Sequence, residues 1–189
     1  MKRRIFLKSM LAGGAITSVA VGVAWMVIDA ESEALTIEST LVKLEKLKQV
    51  LQHEQQAIAI KTTGVWDLKQ IFTHCAQSVE YSMTGYPEHK SKVFKQTIGS
   101  LAFSAFASKG KMTHKLSEAI PGAPRLLTNK TQDTVEVLIQ LDRFKQSLLD
   151  FESYIGELKP HFAYGLLTKE EYALAHAMHF NNHLLEITT

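Results

Sequence analysis

Cysteine is nearly missing from this chain. Cys75 stands alone among 189 residues, which excludes an internal disulfide and leaves stability to packing and to any bound metal. Proline is scarce, with only Pro87, Pro121, Pro124 and Pro160 to interrupt helices. Alternating strand patterns, Asn-Gly hairpin signals and internal repeats are absent. So are the paired carboxylates, phosphate loop and serine elbow that announce common chemistries. A basic field is lacking too. The formal charge of +2 depends on Lys2, Arg3, Arg4 and Lys8, and residues 31–189 hold 17 Lys and Arg against 18 Asp and Glu, a balance of −1. Nothing there attracts nucleic acid. What is present, 46% hydrophobic and 21% charged residues, suits one globular domain with a real core.

The N-terminus reads as an address. Lys2-Arg3-Arg4-Ile5-Phe6-Leu7-Lys8 resembles the twin-arginine export signal. The stretch Leu11–Ile28 then runs 18 residues without a charge, diluted by Gly13, Gly14, Gly22, Thr17 and Ser18. That length is at the low end of the roughly 17–25 residues that span a bilayer. Small residues for a cleavage site are poorly supplied, so cleavage and retention as a membrane anchor both stay open. Residues 1–30 are assigned to this signal or anchor and residues 31–189 to the folded domain. The expected location is periplasmic or otherwise extracytoplasmic, anchored to the cytoplasmic membrane if the signal is uncleaved. The twin-arginine translocase is the expected partner during export.

Beyond the signal the chain reads as helices. Ile37, Leu41, Leu44, Leu47 and Leu51 recur at three and four residues between charged positions, an amphipathic helix. A second helix begins near Trp66 or Asp67 and ends at Gly85 before Pro87. It has an apolar stripe of Leu68, Cys75, Val79 and Met83, and a polar but uncharged sector of His74, Gln77, Ser78 and Tyr81. Such a sector suits an enclosed hydrogen-bonding pocket better than open water. Cys75 points into the apolar stripe and belongs to the core. A third helix is predicted from Lys90 to Lys109 on Val93, Phe94, Ile98, Leu101, Ala102 and Phe106. A fourth is predicted from about Thr131 to Leu158 on Val135, Leu138, Leu141, Leu148, Phe151 and Ile155, stopped by Lys159-Pro160. The loop between them, broken by Pro121, Gly122 and Pro124, is long enough to cross over or cover a site. The fold class is therefore all-α, a helical bundle.

The last helix, Tyr172–Ile187, follows a capping box of Thr168 and Glu171. It carries three of the eight histidines. At about 100° per residue, with His176 at the origin, His179 lies at about 300°, His183 at about 340° and Tyr172 at about 320°, all on one face. Leu174, Met178 and Leu185 occupy the opposite face, and no charged residue stands between Tyr172 and Leu185, so both faces are expected to be buried. His179 and His183, four apart, sit one turn from each other and can share an ion. His176 with His179 is the competing pair. His53 and His89 lie in solvated surroundings, while His114 and His161, in or beside loops, are candidates to line a pocket.

The segments HCAQSVEYSMTGYP from His74, IPGAP from Ile120, PHFAYG from Pro160 and EYALAHAMHFNNH from Glu171 resemble a bacterial family of unknown function that often bears twin-arginine signals. That family is grouped with the DinB/YfiT-like bundles. The resemblance covers nearly all of the chain after the signal. It implies a four-helix bundle holding one divalent metal through a histidine of the second helix and two histidines spaced by four on the last, here His74, His179 and His183. Characterised members of the superfamily include enzymes dependent on low-molecular-weight thiols. Many members have a further histidine where this chain has Asn182, and this chain adds His176.

Three neutral imidazoles leave a divalent ion its full charge and open positions, a Lewis-acid site able to lower the pKa of a bound water or thiol. Zinc, nickel and manganese are the candidate ions. Gln77, Ser78, Tyr81 and Tyr172 are placed as contacts to ligands or substrate, and His176 as an additional ligand or pocket residue. Two functions are compatible with this pattern. One is a metal-dependent transferase or hydrolase acting on a small thiol or other small molecule. The other is a non-catalytic metal-binding or structural bundle at the outer face of the cytoplasmic membrane. The long loop favours the enzyme, and the lack of an evident general base weighs against hydrolysis.

Overall fold

A computed structural model describes residues 34–53, 57, 60–127 and 133–188; the arginine pair and the uncharged stretch Leu11–Ile28 lie outside these residues. Four helices form the bundle: α1 (Ile37–Gln52), α2 (Leu68–Thr84), α5 (Thr134–Ser153) and α6 (Lys169–Leu184). Each of α1 and α2 packs against both α5 and α6, so the four close into a ring. Its core is the apolar periodicity folded inward. Leu44, Leu47 and Leu51 meet Ile71, Phe72, Cys75 and Val79, then Leu141, Phe144, Leu148 and Phe151, with Tyr172, Phe180 and Leu184 completing the packing. Each large side chain so buried contributes about 1.5–3 kcal/mol relative to exposure.

The helix starts follow from local chemistry. Thr36 with Ser39, Asp67 with Gln70 and Thr168 with Glu171 each form a reciprocal capping box, satisfying N–H groups that the first turn leaves over. Ion pairs clip α5 to both neighbours: Lys48–Asp142 and Lys145–Glu45 at 2.6 Å toward α1, and Arg143–Glu80 at 2.6 Å with Lys69–Glu136 toward α2. These pairs are partly solvated and worth little singly. They help hold the register of faces that burial already selects.

Two predicted helices end or turn differently. α5 stops at Ser153 rather than Leu158. The Lys169 ammonium donates to the carbonyls of Glu152 and Tyr154 at 2.8 Å each, supplying at the helix end what another turn would have supplied. Ile155 is consequently fully exposed, as Val135 largely is. The third segment runs as α3 (Lys92–Phe94), a π-helical turn (Lys95–Gly99) and α4 (Ser100–Lys109). Its expected apolar side is not its buried side: Val93, Ile98 and Leu101 face outward, whereas Gly99 and Phe103 are buried. Gly99 explains the rotation. A Cβ there would fall 1.9 Å from the Ala163 carbonyl oxygen, so only glycine lets the helix approach on this side.

A second, smaller cluster forms where α4 and the following loop meet the outer face of α6, built on Phe103, Met112, Ala175 and Met178. Of the apolar face predicted there, Met178 is buried, Leu174 half-buried and Leu185 exposed, because α6 ends at Leu184 and the chain turns away. It turns into a two-residue antiparallel pairing, β1 (Lys61–Thr62) with β2 (Ile187–Thr188), too short to show as alternation. No helix among the described residues is long and apolar enough to cross a membrane.

Candidate metal centre

Four imidazoles converge between α2, α6 and the loop after α4. His74 projects from α2, His179 and His183 from α6, and His114 from the loop, with one ligand atom from each lying within 4.8 Å of the others. His74 Nε2 and His179 Nε2 are 3.1 Å apart. With metal–nitrogen bonds of about 2.0–2.1 Å, two ligands of one tetrahedral ion lie about 3.3 Å apart, so this pair already stands at ligand spacing and only the wider pairs must draw in.

The helices fix three of these side chains because their backbones are set by the core: Cys75 follows His74 into the apolar stripe, and Phe180 and Leu184 flank His179 and His183. The fourth is held by a hydrogen bond. The Asn182 side-chain amide bonds His114 Nδ1 at 2.9 Å, turning Nε2 inward; for Nε2 to offer its lone pair to an ion, Nδ1 carries the proton and donates it to the Asn182 amide oxygen. Asn182, where the resemblance set a histidine, thus positions another one.

Burial makes all four rings poor bases. His74 is held down at about 3 by desolvation, with His114 adding to it; desolvation likewise lowers His179, His183 and His114. The rings are neutral, so nitrogen lone pairs are available. His74 Nδ1, His114 Nε2 and both nitrogens of His183 are buried without a hydrogen-bond partner. Unpaired buried polar atoms cost about 1–3 kcal/mol each, and nitrogens clustered without partners are what an ion would satisfy. The residues therefore fit a divalent metal.

Supporting groups surround the cluster. The Glu186 carboxylate stands 3.9 Å from His183 Nδ1, with its own pKa raised by burial. The two are not hydrogen-bonded at this distance; drawn into bonding range when an ion is held, a carboxylate behind an imidazole sets the ring's tautomer and strengthens it as a donor. Gly64 makes room for it, since a Cβ there would meet Glu186 Oε1 at 2.0 Å. Trp66 closes one side, its ring 4.8 Å from His74 and stacked on His183 at 6.0 Å.

On the other side a cavity of about 210 Å³ opens beside His74, His114 and His179. Its walls include Ser78, Tyr172, His176, His161 and Tyr164. The loop covers it with Met112, Glu118 and Ile120. Of the residues set as contacts by sequence, Ser78, Tyr172 and His176 line this cavity, whereas Gln77 and Tyr81 do not. Gln77 is buried away from it, and Tyr81 lies against Tyr86. His176 is outside the group of four; its ring stacks on Tyr172, and its Nε2 is buried without a partner. His161 Nδ1 accepts from the Ala163 and Tyr164 amides at 3.2 Å, and burial beside His176 lowers its pKa to about 3. Its remaining proton is therefore on Nε2. Cys75 is buried, its thiol pKa raised by desolvation, and takes no part in the cavity.

Sequence reasoning set His114 only as pocket lining. Neither Trp66 nor Glu186 gives a local signal, because their roles depend on the β1–β2 pairing that brings the α1–α2 connection to the end of α6.

Comparison with curated proteins and with solved structures finds no match for this chain. A family model described as "Protein of unknown function (DUF1569)" matches residues 30–189, which include all four histidines of the cluster, and the chain belongs to that family.

Proposed function

We propose that this protein is an exported metal-binding helical bundle, with His74, His114, His179 and His183 holding one divalent ion and the adjoining cavity receiving a small molecule, a thiol being the class the resemblance suggests. The observation that carries this reading is the convergence of four neutral imidazoles, His114 half-buried and the others buried, three of them with partnerless nitrogens, beside a cavity. A divalent ion there supplies Lewis acidity, lowering the pKa of a thiol or water and polarising a substrate oxygen. The protein's own groups do the rest. His161 presents a donor, His176 Nε2 seeks a partner on the ligand, and Lys90 and Glu118 border the opening.

A second reading rests on the number of donors. Structural zinc sites are closed by four protein ligands, whereas catalytic sites keep a position open. If His114 stays bound, the centre is structural; if a ligand displaces it, the centre is catalytic. Elemental analysis of the full chain after loading with zinc, nickel or manganese tests the metal, and well under one equivalent of each overturns it. Adding a small thiol to the cobalt-loaded protein then separates the readings. A changed visible spectrum is expected, and an unchanged one defeats the catalytic reading.

Export rests on Arg3 and Arg4. Changing both to Lys is expected to leave the protein in the cytoplasm. Undiminished export in a strain lacking the twin-arginine translocase overturns the assignment.

A further inference from the structure

α4 is apolar on two faces and only one has a partner. Gly99 and Phe103 turn inward to Ala163 and the small cluster on α6, with Phe106 and Ala107 half-buried beside them. On the other side Ile98, Leu101 and Ala105 recur at three and four residues and lead to Lys109, an outward stripe. Ile98 is 62% exposed and Leu101 71%. Val93, 72% exposed, stands five residues before Ile98, the interval a π turn bonds. Only Ser100, Ser104 and Ser108 and the terminal Lys109 interrupt the apolar residues of α4, and such a helix outside a bundle leaves an apolar face without a partner.

Charge is concentrated on the same segment. From Lys90 to Ser117, 28 residues contain six lysines and no acid. The remainder of residues 31–189 holds 11 Lys and Arg against 18 Asp and Glu, a balance of −7. Lys90, Lys92, Lys109 and Lys115 are exposed. The first described residues also lie here: a Leu35 methyl is 3.3 Å from where a Cβ would stand on Gly110, at the end of α4, and in sequence the uncharged stretch Leu11–Ile28 precedes Leu35 by seven residues or more.

We propose that the α3–α4 segment rests on an anionic lipid surface, with Val93, Ile98 and Leu101 in the interfacial layer and the flanking lysines on headgroup phosphates. An interfacial helix buries its apolar face to a depth of about 5–10 Å and is drawn down by anionic lipid. A second copy of the same segment would set its exposed lysines against their like, which opposes self-pairing. Nucleic acid would use the lysines but leave the apolar stripe in water. Lys90 and Phe94 also line the cavity, so the lipid-facing segment forms part of its wall.

The uncharged N-terminal stretch can by itself hold the full chain on vesicles, so the test reads the position of α4 rather than binding. An environment-sensitive fluorophore is placed on Leu101→Cys in the full-length protein, where buried Cys75 stays unlabelled. With vesicles of phosphatidylglycerol and phosphatidylcholine, the emission is expected to shift to the blue and to become several-fold less accessible to an aqueous quencher. Changing Lys90, Lys92 and Lys109 together to Gln, or using phosphatidylcholine alone, is expected to remove most of that shift. The same label on Ile139→Cys of α5 is expected to stay in water. A Leu101 label that remains water-accessible while the protein is vesicle-bound overturns the proposal. So does a concentration-dependent blue shift without lipid, which would assign the stripe to a second copy, and so does a shift produced by nucleic acid and not by vesicles.

Discussion

The bundle core and the small cluster on the outer face of α6 use the same kinds of side chain, but they hold the histidines to different degrees. The core draws on all four bundle helices and is braced by ion pairs from α5. The small cluster rests on four buried residues, two of them on α6 itself. His74, His179 and His183 belong to the first region, whereas His114 belongs to a loop tied down by Met112, Ile120 and the Asn182 amide. The candidate centre therefore has a rigid side and an adjustable side, and loops supported by few buried contacts are where local opening is cheapest.

The strongest way to break this contrast is at the rigid side. His183→Ala is expected to abolish stoichiometric metal and with it any rise in melting temperature on adding metal, since binding to the native state alone stabilises it by linkage. His176→Ala is expected to retain metal, and elemental analysis with paired melts checks both.

Next comes packing. Phe144→Ala in the bundle core is expected to cost about 3–5 kcal/mol. For a chain of this size each kcal/mol lowers the melting temperature by about 2–4 °C. Phe103→Ala in the small cluster is expected to lower the melt by less than half as much and to raise amide exchange from residue 100 to 120. Equal losses would erase the distinction between the regions.

His114→Ala is expected to weaken metal affinity by more than the roughly 10–100-fold that a lost supporting contact costs, while His74, His179 and His183 still hold the ion. Competition with a chelator measures this, and a metal-free melt unchanged from wild type separates it from the Phe144 variant.

Acidity acts on both sides at once. His74, His161 and His176 are held at about 3 in the fold. They titrate near 6.5 in the unfolded chain. The unfolded state therefore binds more protons between these limits, and the stability of the metal-free protein is expected to fall as pH drops below about 6.5. Denaturant melts at a series of pH values check the slope. The smallest effect is expected from Gly64→Ala, which pushes Glu186 from His183 and should weaken metal by less than the His114 change, read in the same chelator assay.

The helical architecture was legible because burial and capping are local in sequence. Ile37–Leu51, Asp67–Gly85 and the Thr168–Glu171 box name their helices by spacing alone. Two places were not legible for physical reasons. The end of α5 depends on Lys169, which arrives from the next helix, and the buried side of α4 depends on Gly99 meeting Ala163. Helical spacing put His179 and His183 on one face, the resemblance joined His74 to them, and all three sit on faces the core orients. His114 could not be read the same way. Its place is set by Asn182 across 68 residues, and no periodicity governs a loop.

Trp66 has a use beyond walling the centre. Its indole lies 4.8 Å from the His74 ring and stacks on His183, and the chain's only other tryptophan is Trp25, in the uncharged N-terminal stretch. Indole emission is quenched by a neighbouring imidazolium far more than by neutral imidazole, and by a paramagnetic ion at close range more than by zinc. Trp66 is thus an intrinsic optical gauge. In a Trp25→Phe background its intensity reports which of three states the histidines occupy: neutral, protonated, or bound to nickel or cobalt.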